Sequence, residues 1–413
     1  MAAIDPAAET AALLATLPPD VQAKAVAYTH GQHWNVLWGF LVAALVAWLI
    51  VRTGVLSRIR DRLERGGRRR PVMVALAAAP VYLLLSALLS LPWTIWHEWW
   101  YEKSFGLTSQ PLGGFLGDQL KGLIIGLIVG TAFALGLYAL IKRSPRRWWL
   151  WGAAFAAAFT ALMSFAGPPL IEPLFNTYKP APAGPIRDAV VELGRKTGTP
   201  TDKIFIYDGS RQSNRYTANV AGLGSSARVA MSDVMFKKGA DLPQVRGVVG
   251  HEMGHYVHQH QLIGVGLVFV LGALAFWLAD RLFPFFARLL GSDAKGIGDA
   301  AGLPALALTL SVLGLLGMPL TNTIGRAIEN DADSFSLQHA NEPDGLARAL
   351  VLTAEYRAPS PGVLEEIVFY DHPSVSHRVR KAMDWKAVHP ASAPGSGPPS
   401  GQAGSGQEPV DAP

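Results

Sequence analysis

Polar and apolar positions along this chain separate into long blocks, and six blocks stay apolar over nearly the length a bilayer demands. Crossing a hydrocarbon layer of about 30 Å takes about 20 helical residues. The runs at 34–51, 71–96, 122–141, 148–167, 261–279 and 302–323 meet or approach that length. The first is short, with Trp34, Trp38 and Arg52 as interfacial anchors. Lys121 can lengthen the third by snorkelling to the surface. Trp93, Trp96, Trp99, Trp100 and Tyr101 form an aromatic belt, as do Trp148, Trp149 and Trp151. Soluble cores rarely need six uncharged segments of this length, so the pattern predicts a polytopic helical bundle.

Between the fourth and fifth runs the pattern changes. Residues 168–260 read as a mixed α+β region: the spacing predicts a helix over 185–197 and strands over 203–207 and 227–232, joined by a Gly/Ser/Asn-rich connection. From 391 onward the chain is Pro, Gly, Ser, Ala and Gln with little apolar bulk, and is expected to be disordered. No basic segment precedes the first apolar run, so no secretory signal peptide is expected. The resulting division is an N-terminal segment 1–33, a four-span membrane domain 34–167, a region 168–390 interrupted by a two-span hairpin 261–323, and a tail 391–413.

Composition supports the membrane reading. Half the residues are apolar and 16% are charged, against the usual quarter in soluble chains. The net charge is only +5, and the arginines cluster beside apolar runs, which argues for membrane topology and against nucleic-acid binding. The absence of cysteine excludes disulfides, thiolate ligands and a cysteine nucleophile.

The chemistry is concentrated in His251-Glu252-Met253-Gly254-His255. On a helix, positions i and i+4 share a face, so two imidazoles there can hold one zinc ion while the intervening Glu252 holds the attacking water. A catalytic zinc takes three protein ligands and leaves one position open. His258 and His260 fit a third-ligand role poorly, because one helix does not easily close three ligands round a tetrahedral ion; they are expected beside the site or at the membrane interface. The run 261–279 begins six residues after His255, which places the metal about 10 Å from the bilayer. Two consecutive spans then return the chain to the same side at Glu329-Asn330-Asp331-Ala332-Asp333. Glu329 can supply the third ligand, and Asp333, one turn later, can orient a histidine through its second ring nitrogen. Glu252 would accept the water proton and pass it to the leaving amine. His372, His377 and Arg378, after the last span, are candidate donors to the oxyanion.

Taken together, HEMGH, the ENDAD segment and HPSVSHR at 372–378 resemble the integral-membrane gluzincin peptidases, most closely the type I CAAX prenyl endopeptidase family. EKSFGL at 102–107 with FLGDQLK at 115–121 is similar to that family's signature between membrane helices, and PLFN at 173–176 to its entry into the catalytic domain. Ser213-Asn214-Arg215-Tyr216 falls where the family has a Ser-Asn-Ala-Tyr-like stretch. The resemblance spans residues 30–385 and implies a mainly α fold: a bundle of about six spans carrying a small α+β zinc metallopeptidase domain. It implies one Zn2+ held by His251, His255 and Glu329, with Glu252 as general base and Asp333 in support. It further implies that His372 and Arg378 stabilise the oxyanion or clamp substrate, and that Asn214 binds substrate main chain on an edge strand. The expected partners are the lipid bilayer and a peptide or protein substrate, including lipidated ones. Arg215 departs from the family's small residue, and six spans depart from the seven of the well-known eukaryotic members.

An HtpX-like quality-control protease shares every catalytic residue, but the EKSFGL…FLGDQLK segment and four leading spans favour the first reading. A non-catalytic membrane protein with a structural metal is the reading from another class; Glu252 weighs against it, since a closed structural site needs no base. The chain is expected in the inner or plasma membrane of the cell. Its orientation draws opposite expectations. Eight arginines in 52–70 and four cations in 142–147 lie on one side, which the positive-inside rule makes cytoplasmic, with the peptidase domain opposite. The resemblance implies a cytoplasmic active site.

Overall fold

A computed structural model describes residues 4–65, 70–222 and 226–389. The tail expected over 391–413, and Arg68 and Arg69 of the basic loop, lie outside the described residues. Among the described residues six helices are long and apolar enough to cross a membrane, in the places the hydropathy pattern predicts.

The N-terminal half contains α1 (Pro6–Leu14), α2 (Pro19–Thr53), α3 (Val55–Leu63), α4 (Pro71–Thr94), the short α5 (Glu102–Ser104), α6 (Leu112–Arg143) and α7 (Trp148–Leu170). A π-helical stretch, Ile95–Tyr101, joins α4 to α5. The spanning helices outrun their apolar windows. Helix α2 has 35 residues, about 52 Å, so much of it stands clear of the hydrocarbon. That protruding end is polar and docks on the second half of the chain, where Thr29 Oγ1 accepts from the Ala358 amide at 2.8 Å. Helix α1 is likewise no free appendage. Leu13, Leu14 and Leu17 pack against the core under the C-terminal helix, and α2 runs through residue 33 without a break.

The second half begins with strand β1 (Tyr178–Pro180), α8 (Pro185–Thr197), β2 (Ile204–Tyr207), β3 (Ala218–Ala221), β4 (Arg228–Ser232) and α9 (Asp233–Lys237). The predicted helix 185–197 is found with the same ends, and both predicted strands are found one residue shorter. Two further strands were not legible. β1 has three residues, and the connection assigned as Gly/Ser/Asn-rich contains β3, whose Ala-Asn-Val-Ala carries no alternation. The sheet order is β1-β2-β4-β3, with β2 parallel to β4 and both edges antiparallel. This leaves β3 as an edge strand.

Helix α10 (Leu242–Val257) starts at a capping box, in which Asp241 and Gln244 each accept the other's backbone N–H at 3.0 Å. Its Val245, Val249 and Met253 pack into the core shared with the sheet. The membrane hairpin follows as α11 (His260–Leu290) and α12 (Leu303–His339), then α13 (Pro343–Thr353), α14 (Val363–Phe369) and α15 (Val375–Val388). Helix α12 has 37 residues, about 55 Å, so one continuous rod spans the bilayer and then reaches the core beside α10.

Glycines let that rod and its neighbours come close. A Cβ on Gly250 would lie 3.0 Å from Ser336 Oγ, and one on Gly254 would lie 3.0 Å from Phe335 Cβ. On the same helix a Cβ on Gly247 would meet the Leu346 backbone nitrogen of α13 at 2.9 Å. At the far end of the bundle Arg60 of α3, buried, pairs with Asp293 at 2.8 Å and Asp299 at 2.9 Å, tying α3 to the loop between α11 and α12. Lys142 lines a cleft with Arg60 and Glu64, so both basic loops lie at this end, opposite α10. Gly247→Val should lower stability by about 1–3 kcal/mol, because the neighbouring atoms are backbone and cannot swing aside. Thermal unfolding in detergent checks this against Gly264→Ala, where a Cβ meets nothing within 4 Å and no loss is expected.

Candidate active site

His251 and His255 lie one helical turn apart on α10, and their Nε2 atoms face each other at 3.1 Å. Glu329 of α12 closes the triangle, with Oε2 at 3.2 Å from His251 Nε2 and Oε1 at 3.4 Å from His255 Nε2. Ligand atoms about 2.0–2.1 Å from a tetrahedral ion stand about 3.3–3.4 Å apart, so this set fits a divalent metal. One atom is consistent with this: among the described residues, buried Glu329 Oε2 makes no hydrogen bond of good geometry, and its near neighbours include ring nitrogens of His251 and His372. The return of Glu329 by the two-span hairpin, expected from the chain order, is what the fold does.

The remaining ring nitrogens are occupied. His251 Nδ1 sits 2.9 Å from Asp333 Oδ1, which fixes the tautomer that leaves Nε2 free for a metal. Asp333, 1% exposed, is also gripped by Arg378 of α15, whose Nε and Nη2 each donate to it at 2.7 Å. Arg378, expected at the oxyanion or on substrate, pairs with Asp333, since a carboxylate at this depth requires a full counter-charge, and it also lines the cavity that holds the triad and Glu252. His372 Nε2 lies 3.3 Å from Glu329 Oε2, and its Nδ1 is held by Asp371 at 2.7 Å. It borders the same cavity. His377 points away, toward Glu366.

Electrostatics follow from burial. Burial disfavours a charged His251, yet Asp333 and Glu329 outweigh it and push the metal-free imidazole up to about 9. Burial raises the Glu252 carboxyl above its usual range, only partly offset by the nearby histidines. Glu252 lines a cavity of about 170 Å³ with Tyr216, Val248, Leu346, Leu350 and Tyr356. The α13 side of this wall carries no motif and was not legible in the sequence.

Asn214 is not on the edge strand. It precedes β3 by four residues, and its side-chain amide donates to Gly106 O at 2.9 Å while its backbone N–H donates to Leu107 O at 2.8 Å. Arg215 beside it donates to Glu102 Oε2 at 2.6 Å and Tyr28 Oη at 2.8 Å. The EKSFGL segment is thus a membrane-domain anchor for the loop that leads into β3. Two stretches that resembled the family separately meet here in space. The helix bearing the motif also does not run on into the membrane: α10 ends at Val257, and Gln259, at φ 55°, turns the chain into α11 at His260.

Comparison with known proteins agrees with this architecture. Residues 7–177 match the family described as CAAX prenyl protease N-terminal, five membrane helices, although the described residues of that region hold four such helices. Residues 180–386 match peptidase family M48. The Bacillus subtilis metalloprotease YhfN is 26% identical over 371 residues, covering 89% of this chain and 86% of that protein. The Arabidopsis thaliana CAAX prenyl protease 1 homolog is 26% identical over 299 residues, 71% of this chain and 70% of its own. In fold, the crystal structure of S. mikatae Ste24p superimposes with a TM-score of 0.72 at 20% identity, covering 89% of this chain and 90% of that one. With both halves matched in order, and two histidines and a glutamate placed where they could hold a metal ion, the chain belongs to peptidase family M48 as an integral-membrane metalloendopeptidase.

Proposed function

We propose that the metal is Zn2+, held by His251, His255 and Glu329, and that the enzyme cuts peptides lying close to the membrane surface. The observation that carries this is the convergence of two imidazoles and one carboxylate, a donor set suited to zinc, beside a buried carboxylic acid that is not itself a ligand. Bound Zn2+ supplies a Lewis acid for the scissile carbonyl and the attacking water. Glu252 takes the proton from that water and delivers it to the leaving amine; its burial-raised pKa suits it to return the proton. His372, on the cavity wall, donates to the oxyanion, with its ring held by Asp371. Asp333 orients His251 and Arg378 fixes Asp333, so Arg378 is a positioning residue. The free edge of β3 borders the cavity through Thr217 and Ala218 and offers backbone groups for an extended peptide. Val248, Leu346 and Leu350 favour an apolar side chain next to the cut bond.

The substrate reaches the site from the bilayer. α11 begins five residues after His255, so peptide bonds cut here lie near the headgroups. A lipid-modified substrate, of the kind the plant relative's name indicates, is held at that depth by its own anchor. The peptidase core faces away from the cytoplasm, because the described loop cations, among them Arg58, Arg60, Arg62, Lys142, Arg146 and Arg147, lie at the opposite end.

Glu252→Gln should retain metal and lose at least about a hundred-fold in kcat. Chelator should abolish activity, and zinc restore it. Unchanged cleavage by Glu252→Gln would exclude the mechanism, and a soluble peptide cut as fast as its lipid-anchored form would remove the membrane-held substrate. Because the metal-free His251 carries a proton below about 9, metal binding must expel it. Apparent affinity should therefore rise with pH through the neutral range and level off above about 9, as isothermal titration can follow. Orientation is read by cysteine labelling, since the native chain has no cysteine. In intact cells an impermeant thiol reagent should modify Asp202→Cys and spare Ser144→Cys; the reverse pattern places the active site in the cytoplasm.

A further inference from the structure

Beside the triad is a second group of side chains of metal-ligand type, none of which touches the substrate cavity. Along an uninterrupted helix, residues two apart point to nearly opposite sides. The left-handed Gln259, at φ 55° and ψ 35°, breaks the helix between His258 and His260 and turns both imidazoles onto Asp331 of α12. A non-glycine residue adopts that conformation at a cost of about 1–2 kcal/mol, so the convergence is not the default of the backbone. His260 Nε2 lies 3.1 Å from Asp331 Oδ2, and His258 Nδ1 contacts the same oxygen. One ligand atom from each of the three residues lies within 4.8 Å of the others. Two imidazoles and a carboxylate suit Zn2+ and the neighbouring first-row dications. The His258 side chain, 41% exposed, leaves an entry path and room for water ligands.

His260 also faces the catalytic centre. Its Nδ1 lies 3.0 Å from Nδ1 of His255. With His255 Nε2 aimed at the metal, His255 carries its proton on Nδ1, and His260 must accept it. The proton of His260 is then on Nε2, directed at Asp331. A cation on His260 Nε2 needs the lone pair of that nitrogen. The ring proton then moves by way of solvent to Nδ1, and two N–H groups oppose each other where a hydrogen bond had been. Filling the second group and orienting His255 through His260 therefore exclude each other.

We propose that His258, His260 and Asp331 form a second, lower-affinity divalent-metal site of the zinc class, and that its occupation inhibits the peptidase by withdrawing the support of His255. The proposal rests on His255 being a catalytic-metal ligand. Loss of such supporting contacts typically lowers metal affinity or activity about 10–100-fold.

The test is metal stoichiometry on the purified full chain, dialysed first against one equivalent of Zn2+ and then against excess Zn2+, or Co2+ for its visible spectrum. The native protein should bind one ion and then two, and lose activity as the second enters. His258→Ala, which touches neither the triad nor Glu252, should bind one ion, keep its basal activity, and need at least ten-fold more Zn2+ for half inhibition. Asp331→Asn, similar in shape, should also bind one. A single ion in the native protein at excess metal, or two ions and unchanged inhibition in His258→Ala, overturns the proposal and leaves the catalytic reading intact. No ion in any form overturns both.

Discussion

The structure depends on the burial of one carboxylate. Asp333 is 1% exposed and is held by two partners, His251 from α10 and Arg378 from α15, while belonging to α12 itself. An unpaired charge in such a place costs several kcal/mol, so three helices must converge for the core to be stable. That convergence sets the tautomer of His251, and it places Glu329, one turn before Asp333 on α12, opposite His255. Stability and metal-site geometry here come from the same contact.

Because α12 is one rod of 37 residues, the contact also couples the site to the membrane. Its first half packs in the bundle and its last turns carry the acids. The glycine face of α10 permits the close approach that three intervening side chains would prevent. From the other side, the loop before β3 is hung from the membrane domain by Asn214 and Arg215. Arg215 puts its charge on Glu102 and lies over Tyr356, a residue of the cavity wall. The bundle therefore supports both walls of the cleft.

Much of this was legible beforehand, for definite reasons. Spans are legible because a bilayer filters for length and apolarity, which are additive along the chain. The triad was legible because i, i+4 stereochemistry is local for His251 and His255, and two spans must return Glu329 to the side it left. The strand β3 was not, since Ala-Asn-Val-Ala acquires its identity from pairing with β4. Helix ends were not legible where helices leave the lipid, as in α2 and α12, since hydropathy reports the solvent and not the hydrogen bonding.

The amino-acid sequence by itself determined the membrane class, the places of the six long apolar helices, and the order in which His251, His255 and Glu329 come together, since each follows from local periodicity and chain connectivity. Only the tertiary structure decided that Asn214 anchors the domain, that Arg378 serves Asp333, and that Gln259 breaks α10 from α11. Those outcomes turn on which buried charge finds which partner and on where a backbone tolerates a left-handed residue. Such choices belong to the packed whole, where the energy of a group depends on neighbours distant in sequence.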